Sequence, residues 1–264
     1  MKSPTTLPQS HKQLLEKIVA CFSLDSRIVG LGASGSYATD TMDKYSDLDI
    51  VVAINPDDFP SIMEERFDLI DKVEGKVAAF TGEHVGEPRL VISIYEPGAV
   101  HVDFKFVSLP DAAARVDDTQ VLWQRGSCLS DVFATQQPHY PQPDPQWVED
   151  RFWIWVHYGA TKIARGEYFE ATEFLSFLRT VALSPLALKQ QGLTPSGVRK
   201  IETRLPDFAA QLEETVVKPE KQALIAAFEK ITDLYLSLRQ HEEVEVNQQA
   251  QQLCLEYFHK ELRS

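Results

Sequence analysis

Residues 138–146 read PHYPQPDPQ, and Pro138, Pro141, Pro143 and Pro145 fall within eight positions. Each proline removes a backbone donor and fixes φ, so neither a helix interior nor a central strand accommodates such a run. The stretch is an extended connector. It divides a chain of 264 residues into parts with different hydrophobic periods, and at roughly 150 residues per domain the length suits two modest domains or one large one.

Before the connector come short β-branched runs at residues 27–31, 49–54, 89–95 and 100–107. The last alternates: Val100, Val102, Phe104 and Phe106 share one face, while His101, Asp103, Lys105 and Val107 share the other. Leu14, Leu15, Ile18, Val19 and Phe22 form a helical stripe ahead of these strands, and residues 62–73 carry another between them. After the connector, residues 147–164, 171–183, 221–239 and 246–262 all show i, i+3, i+4 apolar spacing. The pattern predicts an α+β part followed by an all-helical part, with boundaries at 1–137, 138–146 and 147–264.

Charge narrows the partners. The formal net charge is −13, and residues 1–145 hold 12 basic against 22 acidic side chains. A surface of that sign repels a phosphate backbone, so nucleic acid is not an expected partner; a cationic or metal-bound substrate suits it better. No apolar run reaches the roughly 18 residues expected of a membrane span. Cys21, Cys128 and Cys254 match neither a disulfide framework nor zinc-ligand spacing, which points to a reducing cytoplasm.

The stretch from Val29 to Asn55 offers three motif readings. Gly30-Leu-Gly32-Ala-Ser-Gly35 fits the G-x-G-x-x-G dinucleotide fingerprint, but residues 36–46 are too polar for the helix that should follow. The carboxylates of Asp47 and Asp49 also precede their apolar strand instead of ending it. A phosphate loop of the Walker type fails because its lysine is missing. The third reading takes Gly35-Ser36, ten intervening residues, then Asp47-Leu-Asp49 entering a strand. Residues i and i+2 of a strand share a face, roughly 6.5–7 Å apart at Cα. Two such carboxylates can ligate a pair of divalent ions about 3.5–4 Å apart, and magnesium favours oxygen ligands of this kind together with substrate phosphates. Calcium-loop spacing around Asp40, Asp43, Asp47 and Asp49 is absent.

Gly35-Ser36, Ser46-Asp47-Leu-Asp49 and Val102-Asp103-Phe104 together resemble the nucleotidyltransferase superfamily of the DNA polymerase β type. The nearest branch is the small bacterial antibiotic adenylyltransferases, such as those for streptomycin, kanamycin and lincosamides. The resemblance covers roughly residues 28–107 and is looser in the helical part, where residues 161–171 carry it. It departs at Asp40, where many members have a second glycine; Asp tolerates left-handed backbone better than most residues.

The resemblance implies a polymerase β-like domain, a mixed sheet flanked by helices, followed by a helical substrate-binding domain. It implies transfer of AMP from ATP to a hydroxyl of a small cationic, aminoglycoside-like acceptor, with two magnesium ions and release of pyrophosphate. Other branches act on a protein side chain or a tRNA end, and a non-catalytic nucleotide- or partner-binding protein on the same fold is a further alternative. Asp47, Asp49 and Asp103 would be the catalytic and metal-ligating residues, with Asp103 either a ligand or the general base. Gly35, Ser36 and Lys162 would contact the nucleotide, although Ser36 also suits a helix N-cap and Lys162, like Arg165, a solvated helix face. Glu167, Glu170 and Glu173 would line the acceptor pocket. The aromatic group Trp147, Phe152, Trp153, Trp155 and Tyr158 has the spacing of a helical core.

Overall fold

The computed structural model describes residues 3–263. It forms two compact units that divide between Tyr140 and Pro141, inside the proline-rich stretch.

The first unit is a six-stranded mixed sheet flanked by helices. In chain order it runs α1 (Gln9–Phe22), β1 (Ile28–Ala33), α2 (Gly35–Ala38), β2 (Leu48–Ile54), α3 (Phe59–Asp71), β3 (Lys76–Gly82), β4 (Glu87–Tyr95), β5 (Val100–Ser108), β6 (Gln120–Gln124) and α4 (Cys128–Ala134). The strand order is β3-β4-β5-β2-β1-β6. Only β2 and β5 pair in parallel; the other neighbours are antiparallel.

Alternation along these strands sorts the side chains. Ile50, Val52 and Ile54 of β2 and Val102, Phe104 and Phe106 of β5 are buried on one face, with Leu14, Leu15, Ile18 and Phe22 of α1 and Ile62, Leu69 and Ile70 of α3 in the same core. The Phe22 ring lies 5.4 Å from that of Phe104. The opposite face carries Asp49, Val51 and Ala53 of β2 beside Asp103, Lys105 and Val107 of β5. Its Ala53–Val107 end is covered by Ala112 and by Leu129 and Phe133 of α4. Glycines of β1 make that cover possible. A Cβ on Gly30 would lie 2.9 Å from the Leu129 side chain, and one on Gly32 would lie 2.7 Å from Thr119 Cγ2. These two glycines therefore serve packing, which explains why the sequence imitates a dinucleotide fingerprint without being one.

The second unit is mostly helical: α5 (Pro145–Arg165), α6 (Tyr168–Leu178), a π-helical turn at Arg179–Leu183, α7 (Ser184–Gln190), α8 (Ile201–Arg204), α9 (Pro206–Glu213), α10 (Lys221–Arg239) and α11 (Gln248–Arg263). Helix α5 starts two residues before the predicted 147, because proline is tolerated in the first turn and Asp144 caps it by accepting from the Gln146 N–H at 2.9 Å. Phe152 of α5 stacks on Tyr235 of α10 at 3.8 Å between centroids. Gly159 brings the two helices close, since a Cβ there would sit 2.1 Å from the Phe228 ring. The continuous helical stretch Tyr168–Gln190 is long and apolar enough to cross a membrane by length and composition, with 56% of its apolar window buried. Ala171, Leu175, Leu178, Leu183, Leu186 and Leu188 of that stretch belong to the helical core.

Candidate active site

The sheet register assembles three carboxylates. Asp49 on β2 is the direct partner of Asp103 on parallel β5, and parallel neighbours point their side chains to the same face. Asp47 lies just ahead of β2, which begins at Leu48, and its carboxylate joins the same group. One carboxylate oxygen from each of Asp47, Asp49 and Asp103 lies within 4.8 Å of the other two, and all three residues are half-buried.

The glycine turn closes against this group. The Ser34 N–H donates to the Asp49 carbonyl at 3.0 Å, which fixes the turn to the start of β2. Gly35 has φ +60°, and a Cβ there would lie 2.4 Å from Asp49 Oδ2. Any other residue would meet both backbone strain and that carboxylate. Ser36, expected as a possible N-cap, is not one: Ser34 occupies the cap position of α2. The Ser36 hydroxyl is buried and has no hydrogen-bond partner among the described residues. Such an orphan carries a cost unless a ligand completes it.

The Asp103 side chain is 22% exposed. Burial pushes its carboxyl above the ordinary range, a hydrogen bond from His101 pulls it back, and the charge of Asp47 raises it further. His101 Nε2 lies 2.7 Å from Asp103 Oδ1. A cavity of about 220 Å³ is lined by Ser34, Asp49, Asp103, Glu87, Leu90 and Lys105, among others. Lys105 Nζ lies 3.2 Å from Glu87 Oε2. The Arg89 guanidinium hydrogen-bonds the same Glu87 carboxylate, and with Lys105 it holds that group down at about 2.

The chemistry of this donor set fits a hard divalent cation. It offers carboxylate oxygens only, with no thiolate, and like charges this close are stabilised by a counter-charge. The glycine cradle and the orphaned Ser36 hydroxyl beside it match a site that also receives phosphate oxygens.

Lys162 belongs to the helical unit. Its Nζ pairs with Glu167 at 2.8 Å and Glu170 at 3.0 Å and lies over the Tyr158 ring. Those carboxylates hold the ammonium firmly protonated. Glu170 also accepts from the Tyr158 hydroxyl, so two of the acids expected to line an acceptor pocket already have partners, and Arg165 is mostly exposed. Phe152 and Trp153 are core, whereas Trp147 and Tyr158 stay partly exposed.

Sequence reasoning passed over His101, Lys105 and Ser34. The alternation of β5 places His101 and Lys105 beside Asp103, and that was the available signal. The involvement of Glu87 and Ser34 depends on strand pairing, which no local pattern announces.

Residues 15–100 match the family model of the nucleotidyltransferase domain, a span that contains Gly35, Ser36, Asp47 and Asp49 and stops short of Asp103. No curated protein matches the chain. Among solved structures, an aminoglycoside 6-adenyltransferase from Bacillus subtilis is similar at 14% identity and a TM-score of 0.41, over 95% of this chain and 98% of that one. A nucleotidyltransferase-like protein from Exiguobacterium sibiricum 255-15 is similar at 16% identity and a TM-score of 0.38, over 86% of this chain and 74% of that one. The family match lies within the first unit, so it is that part of the chain, over residues 15–100, that is similar to the nucleotidyltransferase domain.

Proposed function

We propose that this protein transfers AMP from ATP to a hydroxyl of a small cationic acceptor of the aminoglycoside type, releasing pyrophosphate. The observation that carries the reading is the meeting of Asp47, Asp49 and Asp103 on one sheet face beside the Gly35-Ser36 turn. Asp47 and Asp49 would hold two magnesium ions, which when bound would supply charge neutralisation on the triphosphate and polarise the reacting phosphorus.

The protein's own groups do the rest by placement. Ser36 donates its unpartnered hydroxyl to a phosphate oxygen, and Gly35 lets that phosphate approach the carboxylates. Asp103 receives the proton of the attacking hydroxyl; His101 fixes its Oδ1 and leaves the second oxygen for this task. The acceptor oxygen forms a bond to the α-phosphorus, the bond from that phosphorus to the bridging oxygen breaks, and pyrophosphate departs with the bridging electron pair. Lys105 offsets negative charge at the cavity wall. The acidity of residues 1–145 supports a cationic acceptor, and the three unpaired cysteines support a reducing, cytoplasmic setting.

The test is incubation with Mg-ATP and a panel of aminoglycosides and other hydroxylated amines, followed by mass spectrometry and a pyrophosphate assay. An AMP adduct appearing together with pyrophosphate is expected. Normal Mg-ATP binding with no adduct on any amine would overturn the acceptor class.

A further inference from the structure

The segment ahead of the sheet grips the loop that joins the glycine turn to the carboxylates. Asp40 adopts φ +53°, in the left-handed region that favours glycine. Its carboxylate accepts from Thr5 Oγ1 at 2.9 Å and from both Thr6 N and Thr6 Oγ1 at 3.1 Å. Thr6 Oγ1 in turn accepts from Met42 N at 3.0 Å.

A second grip lies at the far end of the loop. His11, on α1 and only 3% exposed, has its Nε2 2.7 Å from the carbonyl oxygen of Ser46, the residue immediately before Asp47. A carbonyl only accepts, so Nε2 carries the proton, and Nδ1 is left to accept from the Ser10 hydroxyl at 3.2 Å. Between the grips the loop is braced internally. Thr41 N donates to the Ser36 carbonyl at 3.0 Å, and Asp43 N donates to Ser46 Oγ at 2.9 Å.

We infer that His11 and the Thr5–Thr6–Asp40 contact are positioning groups: they set the peptide that presents Asp47, and through it the affinity of the carboxylate site for a divalent cation. The inference rests on the proposed metal-dependent reading of that site. Its physical basis is that the carboxylate of Asp47 is attached to a loop residue and not to the body of β2, which begins at Leu48. Strand pairing therefore fixes Asp49 and Asp103, whereas Asp47 depends on how the preceding peptide is held. Groups that orient a ligand without touching the metal commonly change affinity about 10- to 100-fold when removed. Asp40 adds a reason of its own. An aspartate with left-handed backbone is less favourable than glycine there, and its three hydrogen bonds to Thr5 and Thr6 compensate by joining the start of the chain to the loop.

The experiment is Mn²⁺ titration by calorimetry, with electron paramagnetic resonance of the bound ion, at a temperature well below unfolding. It compares wild type with His11→Ala, His11→Gln and Asp40→Gly. Gln retains an N–H donor, and Gly keeps the left-handed backbone while removing the grip. Mn²⁺ affinity is expected to fall about tenfold in His11→Ala, to return toward wild type in His11→Gln, and to fall in Asp40→Gly although the backbone is relaxed there. If His11→Ala does not fold, the Gln and Asp40→Gly variants decide the matter. Wild-type affinity in Asp40→Gly, and in His11→Ala where that variant folds, would overturn the positioning role alone. Absence of Mn²⁺ binding in the wild type would overturn the metal-site reading, and this inference with it.

Discussion

Replacing Asp49 by asparagine is expected to lower the turnover of the proposed AMP transfer by about 10²–10³-fold while leaving the fold intact. The substitution keeps the size of the side chain that abuts Gly35, removes its charge and exchanges one accepting oxygen for an amide donor. Three carboxylates within 4.8 Å repel one another in the free protein, so removing one charge relieves the folded state. The melting temperature should stay the same or rise. That opposition between activity and stability separates a functional residue from a structural one. The comparison is kcat and thermal melting of Asp49→Asn beside Asp57→Asn, an exposed aspartate outside the site. Turnover close to wild type in Asp49→Asn would remove Asp49 from the machinery.

The second large effect lies in the helical unit and concerns stability. Glu149 of α5 has a fully buried side chain. Its carboxylate accepts from Trp153 Nε1 at 3.0 Å, from the Tyr235 hydroxyl at 2.5 Å and from the Arg239 guanidinium at 3.2 and 3.3 Å. Arg239 also reaches Gln251 of α11 at 3.0 Å, so one buried acid joins three helices. Glu149→Ala leaves a mostly buried guanidinium and two polar groups without their acceptor. Breaking a buried pair from one side costs about 3–5 kcal/mol. Glu149→Gln keeps one accepting oxygen and the volume, and should lose less. Three of the four tryptophans, Trp147, Trp153 and Trp155, lie in this unit, so urea unfolding followed by fluorescence reads it directly. The midpoint for Glu149→Ala is expected to drop by about 1–2 M at unchanged slope. A midpoint close to wild type in Glu149→Ala would show that apolar packing, and not this buried network, holds the helices.

Much of this architecture was legible in local pattern. The alternation of residues 100–107 put Asp103 and its neighbours on the correct face, and the stripe from Leu14 to Phe22 put α1 against the sheet. The predicted helix at 221–239 coincides with α10. Strands β3 and β6 were not foreseen. The first is largely exposed, Val77, Ala78 and Phe80 included, so it lacks a buried alternation, and the second has only five residues. Helix α7 was missed because Pro185 sits in its first turn, where proline is accommodated but still reads as a breaker.

At the site, Asp47 and Asp49 were readable from their i, i+2 spacing, which is a local property. Their meeting with Asp103 required knowing that β2 and β5 pair in parallel and in which register. That information is spread over more than fifty residues and leaves no periodic trace. His11 carries no signal at all, since a lone histidine on the apolar face of α1 looks like an ordinary core residue. Its hydrogen bond to Ser46 spans 35 positions.

The most direct test of the central claim is calorimetric titration of ATP with and without magnesium, on wild type and on Asp47→Ala. The account predicts binding that requires magnesium and disappears in Asp47→Ala while the variant remains folded. Magnesium-independent binding, or equal binding by both proteins, would contradict it.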